Sequence, residues 1–234
     1  MTLPASLSKG ERKERTALLQ TTYFGPIQWY QKLNRFDRCI IEQYDSYQKQ
    51  TFRNRCIIAT ANGPQALTVP VEHETINKKQ ETIKTKDLRI SDHNQWRRVH
   101  WNALVSAYSE SPFFDYYVDD IRPFFEKKYA FLVDFNEEIR QTICGLIDIH
   151  PHVEYSSFYS PPKQESTIYS PLSQGGAGGG SDFRDIIHAK HPQLDPDFES
   201  RPYWQVFQHK FGFQPNLSIL DLLFNMGPES IFYL

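Results

Sequence analysis

Apolar and polar positions change period several times along the chain, and each change marks an element. "TALLQTTYF", residues 16–24, is apolar over successive positions and stops at Gly25-Pro26, which predicts a short buried strand. "IQWYQKLNRF" follows with Ile27, Tyr30 and Leu33 at helical spacing, and "RCIIEQY" then reads as a second short strand. Strand, turn, helix and strand in that order predict a parallel βαβ unit. "RNRCIIAT" and "QALTVPVEH" flank Ala61-Asn62-Gly63-Pro64, and Asn-Gly between two β-rich runs predicts a hairpin. "IKTKDLRIS" predicts one more strand, for a sheet of about five.

From Asn94 the period becomes helical. "HNQWRRVHWNALVSAYSES" sets Trp96, His100, Ala103 and Ala107 on one face, with Asp92 as a candidate cap and a stop at Ser111-Pro112. The stretch from Phe113 to Ile149 predicts two or three further helices broken near Pro123, the last running from about Leu132 to Ile147. Residues 156–184 are rich in Ser, Pro and Gly and read as a loop or linker. "QPNLSILDLLFNMGPESIFYL" predicts a short helix capped by Asn216 or Ser218 and ended by Gly227-Pro228. The expected organisation is a flexible tail at 1–15, an α/β core at 16–150 with a helical second half, the linker at 151–184, and a C-terminal segment at 185–234 packing back on the core.

Composition narrows the function classes. The 234 residues suit one large domain, or one domain with an appendage. A formal charge of −2 gives no overall attraction to nucleic acid or anionic membranes, so neither is expected as a partner. Cys39, Cys56 and Cys144 are odd in number and far apart, which suits reduced thiols in a cytoplasmic protein. No apolar run approaches the roughly 18 residues of a membrane helix. An aromatic share of 15% is high for an ordinary soluble protein; most of these rings are expected in the core, and such side chains also line clefts.

Three segments carry candidate chemistry. The turn "TTYFGPIQWY" feeds a strand into a helix, so Tyr23, Phe24 and Gly25 sit where backbone N–H groups and a helix N-terminus receive an anion; the plain alternative is a structural turn. "YDSYQKQTFRNR" gathers Tyr47, Lys49, Arg53, Asn54 and Arg55 past a strand end, where guanidinium forks suit carboxylate or phosphate; the plain alternative is a solvated loop. The helix beginning at Trp96 brings Arg97 or Arg98, Trp101 and Tyr108 together with His100. That histidine is either an acid/base or orienting group, or a half-buried core residue. In a βαβ layout the first two segments face one crevice. "HPHVEY" offers two histidines and a glutamate at generic spacing, with no third ligand, and no metal is expected. P-loop, dinucleotide, zincin and hydrolase-elbow signatures do not occur, and no cofactor is implied.

"TTYFGPIQWYQKL", "IEQYDSYQKQTFRNRC", "ANGPQALTVPV", "WRRVHWNALVSAYSESPFFDYY" and "GFQPNLSILDLLFNMGPESIFYL" together resemble the WbqC-like protein family. The resemblance spans most of residues 18–150 and the last thirty or so. It implies a role in bacterial surface-polysaccharide (O-antigen type) sugar biosynthesis. It also implies a mixed, largely parallel open sheet of Rossmann-like, nucleotidylyltransferase-type layout with a mostly helical C-terminal half. Tyr23, Phe24, Gly25 and Pro26 match the placement of the phosphate-binding turn of such domains. Trp29 and Tyr30 stand where such transferases place paired histidines, which leaves a nucleotide-sugar or acyl-phosphate ligand in that crevice rather than nucleotidyl transfer. The expected activity is transfer of a group from an anionic activated substrate to an amino sugar, with Lys49, Arg53 and Arg55 holding the anion and His100 moving a proton. A non-catalytic binding or assembly protein of the same pathway is the alternative. The sequence does not set the oligomeric state.

Overall fold

The computed structural model describes residues 14–72, 83–161 and 180–234. Most of the expected tail at 1–15, and positions 162–179 of the expected linker, lie outside them.

Thr16–Gln20 forms β1, Ile27–Arg35 α1 and Arg38–Glu42 β2. β1 and β2 pair in parallel from Thr16↔Arg38 to Gln20↔Glu42, so the expected βαβ unit is present. The continuous apolar runs Ala17–Leu19 and Cys39–Ile41 suit strands covered on both faces. β1 ends at Gln20, short of the expected Phe24, because the chain turns sharply there. Phe24 takes a φ of 39°, and a Cβ on Gly25 would lie 2.5 Å from Thr22 Oγ1.

Arg55–Thr60 (β3) and Gly63–Thr68 (β4) form the expected antiparallel hairpin, with Gly63 at a φ of 97° in its turn. The hairpin is a separate two-stranded sheet. The main sheet is completed instead by Val153–Tyr155 (β5) and Gly180–Asp182 (β6), giving the order β5-β2-β1-β6 with every pair parallel. Counted along the chain, these four strands lie third, second, first, fourth, so the progression reverses between β1 and β6.

The strand expected over "IKTKDLRIS" is replaced by a 3-10 turn at Thr85–Asp87 flanked by single bridges such as Ser46–Lys84 and Arg89–Phe131. Conversely, β5 lies in "HPHVEY" and β6 in the expected linker. His150 lies near Asp148, both exposed, and His152 near the half-buried Glu154, and among the described residues no three His, Cys, Asp or Glu side chains cluster as a metal site.

Helices make up the rest: Trp96–Tyr108 (α2), Phe114–Ile121 (α3), Pro123–Glu126 (α4), Leu132–Leu146 (α5), Gln208–Phe211 (α6) and Ile219–Met226 (α7). Pro123 opens α4, where its missing N–H has no helical partner to lose. α2 stops at Tyr108, and Ser111 N–H then closes a turn on the Tyr108 carbonyl at 2.8 Å. Asp92 does not cap α2; it accepts from Arg97 Nη1 at 2.5 Å and lies 2.8 Å from Lys128 Nζ. Ser218 does cap α7, accepting from Leu220 N–H at 3.3 Å. Gly227 then ends it at a φ of 55°, where a Cβ would run into the Phe113 ring.

α1 is enclosed far beyond the single face its apolar spacing predicts. Every residue from Ile27 to Leu33 is buried, and the C-terminal segment satisfies the polar ones. Gln28 Nε2 donates to Asp195 Oδ2 at 2.7 Å, and Lys32 Nζ pairs with the same oxygen at 2.7 Å. Gln31 Nε2 donates to the Glu199 and Tyr233 carbonyls at 2.7 and 2.9 Å. All three cysteines are free and buried; burial pushes the thiols of Cys39 and Cys144 up to about 12 and about 11, so they remain protonated. Among the described residues no helix is long and apolar enough to cross a membrane.

Candidate functional site

The carboxyl edge of the parallel sheet gathers charge. β1 ends in Gln20, β2 in Glu42 and β6 in Asp182, the first two closing apolar runs. Arg53 reaches this edge fully buried. Its Nη1 donates to Gln20 Oε1 at 2.7 Å, and its Nη2 is paired with Asp45, whose other oxygen accepts from the Thr85 hydroxyl. Gln20 Nε2 in turn donates to the Ile187 carbonyl at 2.5 Å, tying β1 to the loop after β6.

A second buried arginine, Arg184, donates to Asp182 at 2.9 and 2.6 Å and to the Ser160 carbonyl at 2.6 Å, and it lies 3.5 Å from Glu42. Glu42 is wholly buried and also accepts from the Ser156 hydroxyl at 2.7 Å and from the N–H groups of Tyr44 and Ser160 at 2.8 and 3.0 Å. His188 is half-buried beside this network. Burial first, then the neighbouring His191 ring and the Arg53 guanidinium, hold its imidazole below the usual value.

Of the residues singled out from the sequence, Arg53 and Asn54 are buried near this edge, with Tyr47 half-buried and Lys49 exposed. Asn54 Nδ2 donates to the Val69 carbonyl at 2.8 Å and so ties the hairpin to the loop before it. Arg53 offers no free fork, since Asp45 and Gln20 hold both terminal nitrogens. Its removal would strand the buried Asp45 carboxylate.

The first turn is filled from within. Ile27 N–H donates to the Leu217 carbonyl at 3.0 Å and Gln28 N–H to Asn216 Oδ1 at 2.9 Å, so the first N–H groups of α1 are taken by the protein's own C-terminal segment. The carbonyls of Phe24 and Gly25 accept from the Ser218 hydroxyl and the Ile219 N–H at 2.8 and 2.9 Å.

Tyr23 and His100 form a buried pair with 2.9 Å between the phenol oxygen and Nδ1. Burial holds the His100 imidazole down to about 4, against a hydrogen bond to the Thr68 backbone that works the other way. Burial holds the Tyr23 phenol well above its ordinary value. At neutral pH the phenol therefore donates to a neutral imidazole. Trp96 packs edge-on to that ring at 5.1 Å. Arg55, half-buried, donates from Nε to Thr68 Oγ1 at 3.0 Å, so Arg55 and His100 meet the same residue from two sides. Tyr108 lies elsewhere, donating to Asp221 Oδ1 at 2.8 Å within a buried cluster that also holds Tyr203 and Gln205.

A cavity of about 350 Å³ opens between the start of α2 and α4, lined by Gln95, Trp96, Arg97, Arg98, Trp101, Arg122, Phe125 and Glu126. Trp96, Arg97 and Trp101 thus share one hollow, whereas Arg53, Arg55 and His100 do not line it. The sequence reading missed Gln20, Glu42, Asp45, Arg184 and His188. The first two had a partial signal, each being a polar residue directly after three apolar ones within a predicted strand.

The architecture is that of an α/β protein with a four-stranded parallel sheet whose carboxyl edge buries paired arginines and carboxylates. The chain matches the model of the WbqC-like protein family over residues 20–233, and it belongs to that family. It is 30% identical to an uncharacterised protein of Mycobacterium tuberculosis, Rv1507c, in an alignment spanning 94% of this chain and 97% of that one. No solved structure matches it.

Proposed function

We propose that this WbqC-like protein is an enzyme of bacterial surface-polysaccharide (O-antigen type) sugar biosynthesis. It binds an anionic activated substrate, a nucleotide sugar or an acyl-phosphate, at the carboxyl edge of its parallel sheet and transfers a group to an amino sugar. The observation that carries this reading is the concentration of buried charge, Arg53, Arg184, Glu42 and Asp45, beside the point where the strand order reverses. In a Rossmann-like, nucleotidylyltransferase-type layout, ligands occupy the crevice outside that point. Stability alone does not call for these charges, because apolar side chains of similar volume serve a core as well or better. His188, near Arg53 and within reach of solvent, is the group at this edge suited to moving a proton. His100, enclosed and neutral, orients Tyr23.

The test is a calorimetric and thermal-shift screen of nucleotide sugars and acyl-phosphates against the wild type, His188→Ala and Lys49→Ala. A ligand at a hundred times its Kd adds about 2.7 kcal/mol of stability. The reading expects such a ligand, with its effect reduced in both variants. A complete screen without a stabilising ligand, or one whose binding ignores both substitutions, would refute it. The second reading, a non-catalytic binding or assembly protein, draws on the exposed rings of Trp204, Phe211 and Phe232. Ligand binding with no turnover of any donor and amino-sugar pair would favour it.

A further inference from the structure

The first turn of α2 sets cations where the helix dipole disfavours them. Arg97 and Arg98 follow Trp96 at the positive end, with no acidic residue in that turn and no side-chain cap. Beside them lies the 350 Å³ cavity, a volume toward the lower end of the roughly 300–1,000 Å³ of small-molecule sites. Its walls are Trp96, Trp101 and Phe125, and its charged rim is Arg97, Arg98 and Arg122.

Acidic groups meet these cations only in part. Glu126 accepts from Arg122 Nε at 2.6 Å, and Asp92 is shared between Arg97 and Lys128. Arg98 is exposed. The Arg97 guanidinium lies 4.5 Å over the Trp96 ring, and its Nε and Nη2 are enclosed with no acceptor among the described residues. Its partner Asp92 is shared with Lys128, so the charge around the hollow stays positive. The backbone entering the helix is strained as well: Asn94 and Gln95 are consecutive non-glycine residues at φ of 62° and 46°. Strain of this kind gathers at ligand clamps.

We infer that this cavity binds a nucleoside phosphate. The base lies against the half-buried Trp101 ring, and the phosphate meets the exposed guanidinium groups of Arg98 and Arg122 at the rim. A lone anion would leave the aromatic walls unused, and an uncharged ring would leave the guanidinium groups unmatched. The site does not rest on the sheet-edge reading, because none of the residues assigned there lines this cavity.

The experiment titrates the full-length protein with nucleoside monophosphates, the corresponding nucleosides, ribose 5-phosphate and inorganic phosphate. It follows heat and tryptophan fluorescence, at low and high salt. The expected result is saturable binding of at least one nucleoside monophosphate, with quenching of indole emission and weakening in salt. The nucleoside, ribose 5-phosphate and inorganic phosphate should each bind about tenfold or more weakly than the joined molecule. Arg98→Ala and Arg122→Ala change exposed side chains, so both should fold normally and each lose about tenfold in affinity. Nucleotide binding that is lost in His188→Ala but kept in Arg98→Ala and Arg122→Ala would belong to the sheet edge and would overturn this inference without touching the sheet-edge reading. The inference is overturned if no nucleoside monophosphate binds, if inorganic phosphate binds as tightly as the nucleotide, or if both arginine variants keep wild-type affinity.

Discussion

Acid should weaken this fold through His100 in particular. The imidazole is 4% exposed, accepts from the Tyr23 phenol at Nδ1 and bonds the Thr68 backbone, an arrangement that suits only the neutral ring. Its folded value of about 4 lies below the ordinary 6.5, so the unfolded chain takes up a proton before the folded one does. Stability from this group is therefore complete above about 6.5 and is lost as the pH falls toward 4. At about 1.4 kcal/mol per tenfold change in proton affinity, the full loss is about 3 kcal/mol.

The informative variant is His100→Gln, whose amide can accept from Tyr23 and donate to Thr68 yet does not titrate. Urea unfolding of both proteins at several pH values between about 7.5 and 4 isolates the histidine, since every other group titrates in both. The wild-type advantage should shrink by up to about 3 kcal/mol across that window. A difference that stays flat with pH would show that His100 is not held neutral, and would remove the reason for denying it an acid/base role.

Asp195→Ala should cost about 3–5 kcal/mol, because it leaves the Lys32 ammonium buried against the Phe183 ring at 4.5 Å with no carboxylate among the described residues to pair with it. Lys32→Met should cost less, since Asp195 keeps donors from Gln28 and the Asp197 N–H; equal shifts in denaturant midpoint would contradict this. Arg53→Ala should destabilise by about 3–5 kcal/mol through the stranded Asp45, and a measured loss below about 1 kcal/mol would mean the pair is solvated. Burial raises the Asp221 carboxyl above its ordinary value, so its contribution is complete below that value and is lost as pH rises through the raised one. Asp221→Asn should therefore gain on the wild type from about pH 4 upward, and parallel stability curves would refute the assignment.

What the sequence discloses here depends on how local the physics is. The βαβ unit and the hairpin are written in adjacent strings, the apolar runs of β1 and β2 and the Asn62-Gly63 turn, and both are found where expected. β5 and β6 are three residues each and exist because Cys39 pairs with Val153 and Thr16 with Gly180. No periodicity within "HPHVEY" or a Gly/Ser-rich run reports a partner more than a hundred positions away. "IKTKDLRIS" has strand chemistry but meets only single bridges, so it folds as a turn. Arg53 is legible as a guanidinium but not as one half of a pair with Asp45. The aromatic–arginine cavity was half legible: Trp96, Arg97 and Trp101 stand out in one helix, whereas Arg122 and Phe125 join them only through packing.

The way α1 is enclosed narrows how this protein can meet an anion. An open βα turn offers backbone N–H groups at the helix start. Here Asn216 and Leu217 already hold those groups, the Ser218 hydroxyl holds the Phe24 carbonyl, and Asp195 with Gln28 and Lys32 fixes the same segment along the helix. Freeing the turn would mean exposing the Lys32–Asp195 pair and the apolar side chains of Leu217 and Ile219, all of them buried. A ligand would have to repay all of that before gaining anything from the backbone. Side chains that keep their positions with the C-terminal segment in place, His188 at the sheet edge and Arg98 and Arg122 at the cavity, are therefore the groups through which recognition of an anion should run.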